Sequence, residues 1–244
     1  SGVGGSFSLA SNPAATFTGT LGTTYVLRWT IANAPCVSST DDVTITFNNN
    51  PTAANAGADQ TSLCGVTSTA LTANTPVVGT GAWSIVSGVG GSFSLASNPA
   101  ATFTGTLGTT YVLRWTIANA PCVSSTDDVT ITFNNNPTTA NAGADQTSLC
   151  GVTSTALTAN TPVVGTGAWS IVSGVGGSFS LASNPAATFT GTLGTTYVLR
   201  WTIANAPCVS STDDVTITFN NNPTAANAGA DQTSLCGVTS TALT

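Results

Sequence analysis

The sequence contains no lysine, glutamate, histidine or methionine. Its charge comes from three arginines and nine aspartates, 5% of 244 residues, for a net charge of −6. An ordinary globular domain carries about 25% charged residues, so this chain is nearly uncharged rather than merely acidic. Three arginines cannot neutralise a run of phosphates, which excludes a nucleic-acid partner and leaves no basic patch for an anionic membrane surface. Without histidine or lysine there is no Ser–His or Cys–His nucleophile pair, no Schiff-base lysine and no histidine-based zinc site. No run of 18 apolar residues occurs, so this segment is not expected to insert in a bilayer. No basic stretch leading into an apolar one opens the chain, and no signal peptide is visible. No cofactor is expected. The hydrophobic fraction of 41%, with 7% aromatics, still permits a packed core.

The chain is a tandem array. SGVGGSFSLASNP starts at Ser1, Ser87 and Ser173, a period of 86 residues. One position varies across the copies: Ala53, Thr139 and Ala225. The period is too long for a solenoid turn and matches a whole small domain. Such near-identity means recent duplication or an engineered concatemer, and the retained cysteines favour duplication. The polar stretch at 48–51, repeated at 134–137 and 220–223, reads as a linker. Complete repeats are then expected at 51–136 and 137–222. Residues 1–50 would be the C-terminal part of one truncated repeat, and 223–244 the N-terminal part of another. These fragments are expected to be the edges of a window on a longer chain. Strand donation between chains is the other reading, and the absence of a counterpart to 73–86, which carries Trp83, argues against it.

Threonine, valine and aromatic residues dominate each repeat, and β-branched and aromatic residues favour strands. No useful helical period appears. In the repeat 51–136, strands are expected at 58–63, 67–73, 81–87, 92–95, 101–106, 110–118 and 127–133, separated by Gly, Asn and Pro turns. Seven short strands with regular turn signals predict an all-β chain of tandem immunoglobulin-like β-sandwiches. Tyr111, Leu113, Trp115 and Ile117 alternate with polar or smaller residues, and Val129, Ile131 and Phe133 answer them on the last strand. These positions are expected to face the core, with Trp83 and Ile85 from the third strand. Pairing the last two strands around Pro121 sets Arg114 opposite Asp128 on the outer face, an expected structural ion pair.

Several pieces carry a resemblance. ANAGADQTSLCG, then GAWSIVSG, then GTTYVLRWTIANAPCVSSTDDVTITF resemble the PKD-like and immunoglobulin-like repeats of very large Bacteroidota surface proteins. The most specific parts are Cys64-Gly65, the Tyr-x-Leu-x-Trp run at 111–115, and Pro121-Cys122 ahead of Asp127-Asp128. The resemblance covers the whole repeat. It implies secreted, cell-surface stalks and adhesins and no particular activity, so no catalytic residue is expected.

Each complete repeat has two cysteines, and in a secreted, weakly charged array disulfides are the default. Three connectivities stand open. In a seven-strand sandwich Cys64 and Cys122 fall at opposite poles, and the lower pole of one repeat faces the upper pole of the next. This favours Cys64 with Cys208 across the junction. The intra-repeat alternative is Cys64 with Cys122 and Cys150 with Cys208, and a Cys122–Cys150 type of bond is the third. Asp59, Asp127 and Asp128 are weak calcium candidates near the junction, although no DxDxDG loop is present; their plain reading is solvated carboxylates. Asp127 and Asp128 are adjacent on a strand and point to opposite faces, which is unsuited to paired-acid catalysis.

The expected function is a non-catalytic extracellular fibre or stalk at a bacterial cell surface. Its partners would be neighbouring repeats of the same chain and other copies in a filament. The alternative is an adhesin whose repeats bind a glycan or surface directly. Ice or mineral binding through outward threonines such as Thr130 and Thr132 is a minor third reading.

Overall fold

Alternation is what builds the two long strands of each repeat. At 109–118 and 125–134 every second residue is bulky and apolar, so a pleated backbone sends all of them to one face. The computed structural model describes residues 2–243. Among these residues no helix occurs. The chain falls into two compact units that divide between Asn135 and Asn136.

The first unit opens with residues 2–50, which form two short pairs: β1 (Ser6–Phe7) with β2 (Phe17–Thr18), and β3 (Thr23–Ile31) with β4 (Ser39–Phe47). The repeat that follows has all seven expected strands: β5 (Gln60–Cys64), β6 (Ser68–Ala70), β7 (Thr80–Ser87), β8 (Ser92–Phe93), β9 (Thr102–Thr104), β10 (Thr109–Ala118) and β11 (Ser125–Asn134). They make two sheets, β5-β11-β10-β7 and β6-β9-β8. The first strand therefore lies in the sheet of the last, parallel to it, with Phe133 beside Leu63 and Asn134 beside Cys64. The second unit repeats this with β12 (Gln146–Cys150), β13 (Ser154–Ala156), β14 (Thr166–Ser173), β15 (Ser178–Phe179), β16 (Thr188–Thr190), β17 (Thr195–Asn205) and β18 (Cys208–Asn220). Its sheets are β12-β18-β17-β14 and β13-β16-β15. Residues 223–243 follow with no strand and are exposed throughout. Ser1 and Thr244, the outermost residues of the two expected fragments, lie outside the described residues.

The core of each sandwich is the predicted one. Tyr111, Leu113, Trp115, Ile117, Ile131 and Phe133 are fully buried, and Trp83 and Val129 nearly so. Leu71, Ala101 and Phe103 close the core from the other sheet. Burying each large apolar side chain contributes roughly 1.5–3 kcal/mol. The aromatics touch in a chain: Trp83 meets Trp115 with ring centroids 5.1 Å apart, and Phe103 meets Tyr111 edge-on at 5.0 Å. Trp115 lies so close over Gly81 that a Cβ there would sit 2.1 Å from its ring, which is why that strand opens on glycine. Ile85 departs from expectation. It is 36% exposed, because β7 is an edge strand whose register slips where Ile85 and Ser87 face Leu113 and Val112. At the corner ahead of β10, the Tyr111 hydroxyl accepts the Thr106 N–H at 2.9 Å and donates to the Val89 carbonyl at 2.9 Å.

Candidate site at the repeat junction

The Arg–Asp pair forms as predicted. Arg114 faces Asp128 in register, and its Nε and Nη2 donate to the two carboxylate oxygens at 2.7 and 2.8 Å. Arg28–Asp42 and Arg200–Asp214 repeat it. Hydrogen bonding from Arg114, more than its charge, holds the Asp128 carboxyl below the ordinary carboxylate range, and Asp128 raises the guanidinium in turn. Both side chains are well exposed, so the pair marks register more than it stabilises.

The stretch read as a linker is fastened along its length. Thr52 is the first anchor: its N–H donates to the Val78 carbonyl at 3.0 Å, and its hydroxyl accepts the Val77 and Val78 N–H groups at 2.9 Å. Asn74 then pairs with Asn55 and Ala53, its side chain acting as a strand would. The Ala54 N–H finds the Ser125 hydroxyl at 2.9 Å, and the Ala56 N–H the Asp127 carboxylate at 2.8 Å. Asp59 accepts the Thr130 N–H at 2.8 Å. Residues 138–145 repeat these contacts. Asp59, Asp127 and Asp128 are thus spent on three separate partners. They do not converge on a point where calcium would find its oxygen ligands, and among the described residues no group of three potential metal ligands occurs.

The tip between β10 and β11 meets the end of the preceding half repeat. The Asn119 side-chain amide donates to the Asn49 carbonyl at 2.7 Å, and the Cys122 thiol donates to the same oxygen at 3.3 Å. Sequence reasoning missed Asn49, Asn119, Thr52 and Asn74. The only signal was their recurrence every 86 residues beside turns, which any turn asparagine would also give.

Cys64 and Cys208 are disulfide-bonded, whereas Cys36, Cys122, Cys150 and Cys236 carry free thiols. The intra-repeat pairs Cys64–Cys122 and Cys150–Cys208, and the Cys122–Cys150 bond, are therefore not formed. For the first the reason is distance. Cys64 sits beside the end of β11 and Cys122 ahead of its start, so the 10 residues of that strand hold them about 30 Å apart at about 3.3 Å per residue. Disulfide Cα atoms are usually about 4.4–6.8 Å apart. The tip itself has two forms on one sequence. Around Cys36 and Cys122 the hairpin opens into a turn before its second strand begins at Ser39 or Ser125; around Cys208 it zips to the end, with Asn205 paired to Cys208.

Among the described residues no polar or charged residue is buried. The sandwich leaves no enclosed polar group for acid–base or nucleophilic work, which agrees with a chain lacking histidine and lysine.

No family model matches the sequence, and no curated protein matches it. Solved structures do. A PKD domain from the KIAA 1837 protein is 25% identical, with a TM-score of 0.32 over 37% of this chain and 92% of that one. Extracellular domains 3–5 of Drosophila OTK are 8% identical, with a TM-score of 0.49 over 80% of this chain and 70% of theirs. The insect immune protein hemolin is 11% identical, with a TM-score of 0.41; the chain covers 56% of that structure and 81% of its own length matches. These likenesses are of strand arrangement and add nothing to the β-sandwich that the hydrogen bonding already defines. The chain is an all-β array of immunoglobulin-like sandwiches.

Proposed function

We propose that the chain is part of a structural extracellular fibre or stalk, of the kind found in giant Bacteroidota cell-surface proteins, and has no catalytic role. Sandwich repeats in series supply length, and a covalent bond between Cys64 and Cys208 staples one repeat to the next. The observation that carries this reading is the cysteine state: these two are oxidised while the other four are thiols. Oxidised cysteines also accord with a compartment outside the cytosol. The fastened strip at 52–59 and the grip of Asn119 on Asn49 give each junction further purchase. An adhesive role has less support, because the aromatics that would stack on a sugar, Trp83, Trp115 and Tyr111, are in the core.

Peptide mapping cannot separate identical repeats, but pulling on single molecules can. Residues 64–208 span about 500 Å when extended, at about 3.5 Å per residue. Forced unfolding of the oxidised chain should release less contour length than the reduced chain by about that amount. A deficit of two separate steps of about 200 Å would mean intra-repeat bonds and would overturn the staple. Binding of a two-repeat protein to an array of glycans would overturn the passive role.

A further inference from the structure

Residues 2–50 fold as one part of a sandwich whose other part is missing among the described residues. Their inner face forms an apolar groove of about 500 Å³, lined by Phe7, Phe17, Leu27, Trp29, Ile45 and Phe47 among others. Trp29 is 39% exposed and Ile31 62%, where the identical Trp115 and Ile117 are fully buried. In the complete repeat that face is covered by residues 51–86, with Ala56, Leu71 and Trp83 in the core and β5 hydrogen-bonded along β11. The same sequence as 51–71 recurs at 223–243, exposed and outside any strand, with Leu243 87% exposed. One chain therefore displays both a groove and the segment that fills an identical groove elsewhere in it.

We propose that the groove of residues 2–50 takes residues 223–243 of a second copy of this chain, joining chains head to tail. The cysteines supply the second argument, which rests on the staple proposed above. That staple joins the cysteine ending the first strand of one repeat to the tip cysteine of the next. Applied across the composite repeat, it pairs Cys150 with Cys36 of the second copy, and Cys236 with Cys122 of the second copy. Those are the four free thiols, and none is left over. Three of them are exposed and Cys122 is half-buried. In each bond two thiols lose two protons and two electrons to a small-molecule disulfide such as glutathione disulfide, which leaves as two thiols. The composite has no counterpart of 73–86, so the Trp83 position stays open. Non-covalent docking is correspondingly weak, and the two disulfides hold the joint.

The 244-residue chain, incubated with glutathione disulfide and run without reductant, should give a ladder in multiples of 24.1 kDa. Four double variants each keep two of these thiols. C36S/C150S and C122S/C236S each retain one proposed pair and should still form the ladder. C36S/C236S and C122S/C150S retain mismatched thiols and should stay monomeric. A peptide of residues 51–87, which carries both missing parts, should suppress the ladder where a scrambled peptide does not. No ladder, equal ladders from all four variants, or indifference to the peptide would overturn the proposal. A chain keeping only Cys64 and Cys208 cannot form these links. If its monomer has no titratable thiol and shows the contour-length deficit, the staple stands whatever the ladder shows.

Discussion

Gly81 and Trp115 illustrate how tightly single residues are matched. The indole lies on the backbone of Gly81, and its Nε1 is buried without a hydrogen-bond partner, whereas Trp83 donates to the Asn98 carbonyl at 3.1 Å. Gly81→Ala drives a methyl into the ring and should cost about 1–3 kcal/mol, read as a lower melting temperature of the affected repeat. Asp128 titrates with a predictable sign. Its carboxyl is held below the ordinary value in the folded state, so its contribution is present above the unfolded value, near 3.9, and is lost as pH falls through the lowered folded one. Asp128→Asn should lower the melting temperature slightly at pH 7 and leave it unchanged at pH 2. The effect is small because solvent screens the pair.

Strands and turns owe their places to partners far along the chain. Asp127 accepts the N–H of Ala56, 71 positions away, and Ala56 is buried. Asp127→Ala strands that amide and should cost about 1–3 kcal/mol, with faster hydrogen exchange at 54–56 as the local readout. The β17–β18 tip pairs to its end at the bonded Cys208, whereas the β10–β11 tip opens at the free Cys122. Reducing the protein should unzip the tip at Cys208 and bring its amide exchange at 205–210 to the rate seen at 119–124. A protected tip after reduction would separate its order from the sulfur chemistry.

At the scale of the whole molecule, sparse charge predicts weak salt dependence. Between about 0.01 and 0.15 M salt the Debye length falls from about 30 to about 8 Å. With three exposed ion pairs as its main ionic contacts, the chain should melt at nearly the same temperature at both concentrations. A large shift would mean that charge matters beyond those pairs. Repetition sets a different constraint. Identical beads encode length well and a unique binding site poorly, which suits a spacer.

Much of the sandwich could be read without coordinates. The alternation at 111–117 and 129–133 carried the core, and the turn at Pro121 carried the Arg114–Asp128 register, because side-chain period and hairpin pairing are local properties of the backbone. The junction was not legible. That Asp59 and Asp127 hold backbone amides, that the stretch after Asn50 is tied down, and that Ile85 lies half-exposed depend on strands brought together across some 70 positions. Sequence alone determined the repeat, its seven strands and the faces they bury, since each follows from spacing along one stretch of chain. Only the tertiary structure decided that the first strand runs beside the last and which cysteines are oxidised. Those outcomes depend on distances between poles about 30 Å apart, and no spacing of residues along the chain encodes them.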